Sequence, residues 1–361
     1  MNQDVGQLII TGVSGVALTE HEKNFIETNN IGGVILFSKN FESPAQLSEL
    51  VNSIQKLRKE YPLFISVDHE GGRVIRFKTH FTQFPAMAEV AKLNSPKICF
   101  FIHKIIAEEL STCGVNLNFA PCCDVLKNKS KVIGDRSFGD SPDVVSKYIT
   151  AAIRGLQTNG VIACAKHFPG HGATSKDSHL ELPIVNIDMN ELTEIHINPF
   201  ARAIKSSRVE FLMMGHMKVD AIDDKMPTSL SSLAHDIVRK NLKYNKIIVS
   251  DDMQMQAITD NYSIEEAVTY ALCAGTDILI YRDMDKAEEA LAAINNALKV
   301  KNIKNDCLND KIKRINGCKK ENFSEYKPVY IPKIDKKINS KASQIFLEDI
   351  LERIAKVNVT P

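Results

Sequence analysis

Eight short apolar runs, separated by segments of helical pattern, constrain the fold of this 361-residue chain more than any other feature. Most of the runs are continuously apolar, which is typical of strands in a parallel sheet that is covered on both faces. Their bounds are Leu8–Val13, Gly33–Phe37, Leu63–Val67, Val115–Phe119, Val161–Ala165, Glu210–Met214, Lys246–Val249 and Asp277–Ile280. The sequence therefore predicts a parallel sheet.

Helix start signals occur between these runs. Ser43, Ser95 and Ser141 each precede a proline, which predicts an N-cap serine followed by proline at the first helical position. Ser263 and Glu266 predict a capping box. Eight strand–helix units favour an α/β fold of the (β/α)8 TIM-barrel type. A doubly wound sheet is the alternative, but no glycine-rich phosphate turn follows the first strand.

The carboxy-terminal part of the chain breaks this pattern. We expect residues 1–305 to form the barrel and residues 306–361 to form a short C-terminal extension. Residues 319–341 are rich in lysine and interrupted by proline, whereas residues 342–357 have the pattern of an amphipathic helix. The extension carries no chemical motif, so we expect it to pack on the barrel or to be partly disordered.

Composition excludes several classes of partner. The formal net charge is +1 and 25% of residues are charged, which gives no indication of a nucleic-acid or membrane partner. The amino terminus lacks a secretion-signal pattern, and no apolar stretch is long enough to span a membrane. Most of the eight cysteines, including Cys273, lie in apolar patterns and are expected to be buried free thiols. We therefore expect a cytoplasmic protein, whose oligomeric state the sequence leaves open.

Polar residues cluster where the predicted strands end. Barrel enzymes build their active sites at the carboxyl ends of the strands, so this placement predicts one shared site. The residues concerned are Asp68, His69, Glu70, Asp124, Lys166, His167, His216, Asp251 and Asp252.

Asp251 follows the seventh predicted strand and is a candidate nucleophile, general base or metal ligand. The alternative is that Asp251 or Asp252 caps the next helix. Asp177 and His179 form an Asp-x-His pair in a loop that begins at Lys166. Histidine exchanges protons near neutral pH, and a carboxylate can orient its ring. A surface loop with a chance histidine is the alternative for this pair.

His167, His171 and His179 could instead bind a metal. However, the first strand has no histidine, whereas barrel metallohydrolases usually begin with a His-x-His pair, so we expect no metal and no cofactor. Arg73, Arg76, Arg136 and Lys166 supply cationic donors suited to a ligand rich in hydroxyl or carboxylate groups. Asp68 could accept hydrogen bonds from two sugar hydroxyls.

Six motifs occur in a fixed order along residues 5–300. They are GGVILFSKNFESPAQL (32–47), SVDHEGGRVIRF (66–77), NLNFAPCCDV (116–125), IGDRSFGDSP (133–142), KHFPGHGATSKDSH (166–179) and VSDDMQM (249–255). Together they resemble the single-domain bacterial exo-β-N-acetylglucosaminidases of glycoside hydrolase family three. This chain departs from that pattern at His69, where glutamine is common, and at Cys122 and Cys123, where apolar residues are more usual.

The resemblance implies a role for each candidate residue. Asp251 matches the catalytic nucleophile, His179 the acid/base and Asp177 its orienting partner. The residues that match those holding the terminal sugar, or that lie near it, are Asp68, Arg76, Arg136, Lys166, His167 and His216. The implied enzyme is a retaining β-N-acetylglucosaminidase that forms a covalent intermediate on Asp251.

The expected substrate is a small carbohydrate or muropeptide. A cytoplasmic enzyme of this kind resembles those that release N-acetylglucosamine from 1,6-anhydro-N-acetylmuramic acid, with or without its peptide, during cell-wall recycling. A family-three β-glucosidase or a β-N-acetylglucosaminide phosphorylase is the nearest alternative. A zinc-dependent barrel hydrolase and a binding protein without catalysis are more distant ones.

Overall fold

A computed structural model describes residues 4–127, 130–174, 181–323 and 326–359. Eight parallel strands close into a barrel in the spatial order β1-β10-β9-β7-β5-β4-β3-β2, which confirms the predicted (β/α)8 fold. A separate two-stranded sheet is formed by β6 and β8. The strands are β1 (Ile9–Gly12), β2 (Gly33–Leu36), β3 (Phe64–Val67), β4 (Leu117–Asn118), β5 (Ile162–Phe168), β6 (Ile184–Val185), β7 (Phe211–Met214), β8 (Lys218–Val219), β9 (Ile247–Asp252) and β10 (Ile278–Tyr281).

Helices surround the barrel and cover the apolar outer face of its strands. The α-helices are α1 (Glu20–Thr28), α2 (Pro44–Lys56), α3 (Met87–Lys92), α4 (Pro96–Thr112), α5 (Pro142–Gln157), α6 (Met189–Glu191), α7 (Asn198–Arg202), α8 (Ser232–Asp236), α9 (Gln256–Thr259), α10 (Ile264–Ala274), α11 (Met284–Lys299), α12 (Asn305–Asn322) and α13 (Lys341–Val359). Short 3-10 segments are Val5–Leu8, Ser38–Asn40, Gly134–Arg136, His171–Ala173 and Ile331–Lys336, and π-helical segments are Leu192–Ile197, Ala203–Ser207 and Ile237–Asn241.

The predicted caps mark the starts of α2, α4, α5 and α10. Ser43 and Ser141 accept hydrogen bonds from the backbone N–H three residues later, and Ser263 forms the predicted capping box with Glu266. Ser95 also occupies the predicted N-cap position, with proline at the first helical position after it, but its side chain accepts no capping hydrogen bond. The proline fixes a helical φ angle there without help from the serine side chain.

Two irregularities in strand pairing interrupt the regular barrel. Between Ala165 and Phe168, β5 contains one residue more than the β7 segment that pairs with it. Between its pairings with Ile278 and Ile280, β9 likewise contains one residue more than β10. An extra residue of this kind re-aims the side chains beside it and is common next to active sites. Both irregularities lie at the carboxyl ends of their strands.

Helix α12 closes the amino-terminal end of the barrel. Lys319 is buried and donates hydrogen bonds to Gln7 Oε1 (2.7 Å) and to the Gly32 carbonyl oxygen (2.8 Å). The ring of Phe323, just after α12, contacts Phe64 of β3 with 5.9 Å between centroids. Asp277, the residue before β10, pairs with Arg239 at 2.6 Å and with Arg314 of α12. The start of the extension is therefore tightly packed against the barrel.

The final helix, α13, packs beside α3 and α4. Its Phe346 ring contacts Phe84 and Phe101, with centroids 6.4 and 6.2 Å away. Glu109 of α4 fixes the chain before α13, because its carboxylate accepts hydrogen bonds from Asn339 N (2.9 Å) and Thr82 N (2.8 Å). A helix was predicted over residues 342–357, and the observed helix is slightly longer at both ends.

Candidate active site

Five charged side chains form a connected network at the carboxyl end of the barrel. Lys166 Nζ lies 2.7 Å from Asp68 Oδ1 and 2.6 Å from Glu70 Oε1, so it links the two carboxylates that follow β3. Arg76 Nη2 donates to Asp68 Oδ2 at 3.0 Å. Arg136 makes a bidentate pair with Glu70 at 2.9 and 2.8 Å. Each carboxylate therefore contacts two cations.

Burial makes this pairing strong. The Lys166 side chain is 2% exposed and that of Glu70 is 4% exposed. Burial alone would raise the pKa of Glu70, but Arg136 and Lys166 lower it to about 2. Burial would likewise raise the pKa of Asp68, whereas Lys166 and Arg76 bring it well below its usual value. Both groups are thus carboxylates at neutral pH, with Asp68 remaining partly exposed to the mouth.

A buried aspartate orients His167, the residue next to Lys166. His167 Nδ1 donates to Asp124 Oδ2 at 2.8 Å, which leaves Nε2 on the side of Arg136, whose Nη2 is 3.5 Å away. Asp124 also accepts from the backbone N–H of His171 at 2.7 Å and from the Cys122 thiol at 3.1 Å. Burial would raise the pKa of Asp124, but His167 and the other donors lower it to about 2.

Asp251 is the second-to-last residue of β9, whereas the sequence pattern placed it just beyond the strand. Its Oδ1 accepts a hydrogen bond from the Asp252 backbone N–H at 2.8 Å. Burial alone would raise the pKa of Asp251, but His167 and, less strongly, Lys166 lower it. Asp251 is therefore an ionised, partly exposed carboxylate among cationic and imidazole side chains.

Asp252, the next residue, performs a different task. Its Oδ1 accepts from the Gln254 N–H at 3.0 Å and its Oδ2 lies 3.4 Å from Arg282 Nε. It therefore stabilises the turn after β9, whereas α9 begins only at Gln256. Burial, opposed by Arg282, raises the pKa of Asp252 to about 6. The pKa values of two adjacent aspartates are thus shifted in opposite directions because their surroundings differ.

His216, which follows β7, is held in a defined tautomer. Its Nε2 donates to the Asp252 carbonyl oxygen at 3.0 Å, and its Nδ1 accepts from the Ser229 hydroxyl at 2.7 Å. Burial lowers the pKa of His216, which favours the neutral ring. The neutral ring supports the backbone directly behind Asp251, so we assign His216 to the wall of the site.

The predicted Asp177 and His179 lie outside the described residues, so their roles stay predictions. The described part of their loop runs from the end of β5 to Thr174. It is attached to the site, because the His171 N–H donates to Asp124 and the Thr174 hydroxyl contacts His171 Nδ1 at 2.6 Å.

The structure brings together Asp68, Arg76, Arg136, Lys166, His167, His216 and Asp251, the described members of the predicted set. Arg73, also expected near the mouth, contacts a neighbouring loop: Nε donates to Asp135 at 2.8 Å and Nη2 to the Lys131 carbonyl oxygen at 3.1 Å. Sequence reasoning placed Glu70 and Asp124 at strand ends but did not recognise their tasks as partners of Arg136 and His167. Strand-end position was the available signal for both.

The fold is a (β/α)8 barrel, and its mouth places the ionised carboxylate of Asp251 beside a network of paired carboxylates and cations, an arrangement typical of a barrel enzyme that acts on a polar ligand. Residues 1–317 match the Glycosyl hydrolase family 3 N terminal domain. The chain belongs to this family and is therefore a glycoside hydrolase.

Similar proteins support the same assignment. A protein named Beta-hexosaminidase from Nitrosomonas eutropha is 38% identical over 293 residues, which cover 79% of this chain and 84% of the relative. A family 3 β-N-acetylglucosaminidase from Paenibacillus sp. str. FPU-7 superimposes with a TM-score of 0.92 at 31% identity, covering 98% of this chain and 68% of that one. Native NagZ from Neisseria gonorrhoeae gives a TM-score of 0.80 at 28% identity and covers 96% and 97% of the two chains.

Proposed function

We propose that this chain is a retaining exo-β-N-acetylglucosaminidase that releases terminal N-acetylglucosamine from peptidoglycan fragments. The observation that carries the proposal is the ionised, partly exposed Asp251 beside the network of Asp68, Lys166 and Arg76. Relatives named Beta-hexosaminidase and a solved β-N-acetylglucosaminidase of high structural similarity support the choice of sugar.

Asp251 is the proposed nucleophile. It attacks the anomeric carbon, the bond to the leaving group breaks, and a covalent glycosyl–aspartate forms; water then hydrolyses that ester with retained β configuration. A nucleophilic carboxylate must be ionised at neutral pH, and the lowered pKa of Asp251 meets this requirement. Its hydrogen bond from the Asp252 N–H fixes one oxygen and leaves the other as the attacking atom.

The charged network is the proposed site for the terminal sugar. Asp68 can still accept hydrogen bonds from a ligand. Its side chain is 17% exposed, and each carboxylate oxygen contacts one cation, although a carboxylate oxygen can accept two hydrogen bonds. Arg76 and Lys166 hold it rigidly, and Arg136 and His167 present N–H and ring nitrogen atoms nearby. Rigid, pre-oriented polar groups favour a ligand rich in hydroxyl groups, because little ordering is needed on binding.

His179 is the proposed acid/base, oriented by Asp177. It protonates the leaving oxygen in the first step and takes a proton from water in the second. The proposed substrate is N-acetylglucosamine linked to 1,6-anhydro-N-acetylmuramic acid, with or without peptide, which places the enzyme in cell-wall recycling in the cytoplasm. All eight cysteines are free thiols, which fits a reducing compartment. No helix among the described residues is long and apolar enough to cross a membrane.

The decisive experiment compares hydrolysis of an aryl β-N-acetylglucosaminide with that of an aryl β-glucoside, with a chelator present. We expect strong preference for the glucosaminide and no loss of rate with the chelator. Preference for the glucoside would identify a β-glucosidase, and inactivation by the chelator would identify a metal-dependent hydrolase. A rate that requires phosphate and yields a sugar 1-phosphate would identify a phosphorylase.

The nucleophile is tested with Asp251→Asn, which removes the negative charge while keeping the shape of the side chain. Turnover should fall by at least about 10⁴-fold, because the remaining groups cannot form the covalent intermediate. Asp252→Asn is the matched control, since Asp252 stabilises the turn through Gln254 and Arg282 and should retain far more activity. Near-normal turnover in Asp251→Asn would remove the basis of the proposal.

A further inference from the structure

Three metal-binding atoms of different kinds converge behind His167. The Cys122 thiol, the Asp124 carboxylate and a ring nitrogen of His167 all lie within 4.8 Å of one another, and all three residues are buried. Cys122 Sγ lies 3.1 Å from Asp124 Oδ2, and His167 Nδ1 lies 2.8 Å from the same oxygen. The histidine set considered from sequence, His167 with His171 and His179, is not this group.

The chemistry of the three donors selects a class of cation. Thiolate and imidazole are ligands for Zn²⁺ and its softer relatives, whereas Mg²⁺ and Ca²⁺ prefer oxygen ligands alone. Tetrahedral zinc requires ligand atoms about 3.3–3.6 Å apart, so the observed hydrogen-bond distances need to open by only about 0.5 Å. The carboxylate and a thiolate would together balance the charge of a divalent cation.

We propose that Cys122, Asp124 and His167 form an inhibitory site for a thiophilic divalent cation such as Zn²⁺ or Cd²⁺. On binding, the Cys122 thiol proton leaves to solvent, and the Nδ1 proton of His167 leaves or moves to Nε2 as the metal takes its place. No oxidation or reduction accompanies the exchange. The fourth position of the metal is filled by water.

Inhibition follows from the position of His167 and rests on the proposed function. The metal-free ring donates from Nδ1 to Asp124 and has Nε2 directed toward Arg136. Metal binding at Nδ1 breaks the bond to Asp124 and changes the protonation of Nε2, beside the proposed sugar site and Asp251.

The first test measures metal binding without any activity. Metal-free protein is titrated with Cd²⁺ while the ultraviolet thiolate–cadmium absorption is recorded, and Zn²⁺ affinity is measured by competition with a chromophoric chelator. We expect one equivalent to bind with a thiolate band. In Cys122→Ser, which retains a hydrogen-bond donor toward Asp124, the band should vanish and affinity should fall by about 100-fold or more. Cys122→Ala provides a second variant with the same expectation.

Two other cysteines provide controls. Cys123→Ser alters the adjacent buried thiol, which points to the Pro121 carbonyl oxygen, and Cys273→Ser alters an exposed thiol. Both should keep the tight site and its absorption band. A band retained in Cys122→Ser, or lost in either control, would overturn the assignment. If neither Cys122 variant folds, anomalous scattering from a Zn²⁺-soaked crystal of the unaltered protein decides, because an ion bound elsewhere rejects the site.

The second test measures inhibition of aryl β-N-acetylglucosaminide hydrolysis by Zn²⁺, with each variant compared with its own metal-free rate. The unaltered enzyme should be inhibited and recover with a chelator, whereas Cys122→Ser should require about 100-fold more Zn²⁺. Binding without inhibition would refute the inhibitory role. Failure of the glucosaminidase proposal would appear as absent turnover before metal is added, and the binding test would still stand.

Discussion

Replacing Lys166 with methionine should destabilise the protein strongly, because Lys166 neutralises two buried carboxylates at once. The pKa of Glu70 falls from 4.5 to about 2, which corresponds to roughly 3 kcal/mol of stabilisation of its ionised form, shared between Arg136 and Lys166. The ionised form of Asp68 is stabilised to a comparable extent by the same Lys166 ammonium group. Together, the contributions of Lys166 to the ionised forms of Glu70 and Asp68 predict a loss of about 3 kcal/mol in the free energy of unfolding. This loss is near the range for breaking a buried ion pair.

Urea denaturation at pH 7 measures this loss, with Lys240→Met as the matched control. Lys240 makes a lysine–aspartate pair of 2.8 Å, but its side chain is 72% exposed, so its removal should cost under about 1 kcal/mol. Asp68 and Glu70 have lowered pKa values in the folded state. Their ionised forms therefore contribute to the free energy of unfolding above their usual pKa, and this contribution is lost as the pH falls. The deficit of Lys166→Met should therefore shrink below about pH 4. A deficit equal to that of Lys240→Met would refute the idea of a desolvated network.

Three further predictions concern the acid/base, the extension and the barrel floor. His179→Ala should slow substrates with poor leaving groups far more than activated aryl glycosides, measured as kcat/KM across a leaving-group series; equal losses would indicate a structural role. Glu109→Gln should lower the free energy of unfolding by about 1–3 kcal/mol, because Asn339 N–H or Thr82 N–H loses its carboxylate acceptor. Limited proteolysis should then cleave the chain near α13 before it cleaves the barrel, and the same cleavage order as in the unaltered protein would contradict this. Burial lowers the pKa of Lys319 to about 7, so between about pH 7 and 8.5 the unfolded chain binds more protons at this residue than the folded one. Urea titrations should therefore show the stability of the unaltered protein rising relative to that of Lys319→Met between about pH 6.5 and pH 8.5, because the methionine variant lacks this titration; a pH-independent difference would refute the shift.

The barrel itself was predictable from sequence because its determinants are local. Continuous burial produces continuous apolar runs, and all eight predicted runs overlap barrel strands. Proline and serine at helix starts act through their own residues or the next three. Burial of individual side chains was less reliable: Cys273 was expected to be buried, yet it lies on the outward face of α10 and is exposed.

The pairings within the site were not predictable, because they join distant parts of the chain. Glu70 and Arg136 are 66 residues apart, and Lys166 and Asp68 are 98 apart. No periodic pattern in the sequence indicates that residues so far apart form an ion pair. Lys319 shows the same limit, since it lies at the start of a lysine-rich stretch with no apolar pattern to indicate burial, yet tertiary packing places it in the barrel floor against Gln7 and Gly32.

The extra residues in β5 and β9 have a consequence for anyone who engineers this scaffold. Neighbouring side chains on a regular strand face opposite ways, yet Lys166 and His167 both serve the mouth, as the structure shows. Deleting one residue between Ala165 and Phe168 would make the ladder more uniform, but it would remove Lys166 or His167 itself. Removing the extra residue from β5 or β9 to raise thermal stability is therefore expected to reduce activity. The other six barrel strands carry no such extra residue and are better positions for stabilising changes.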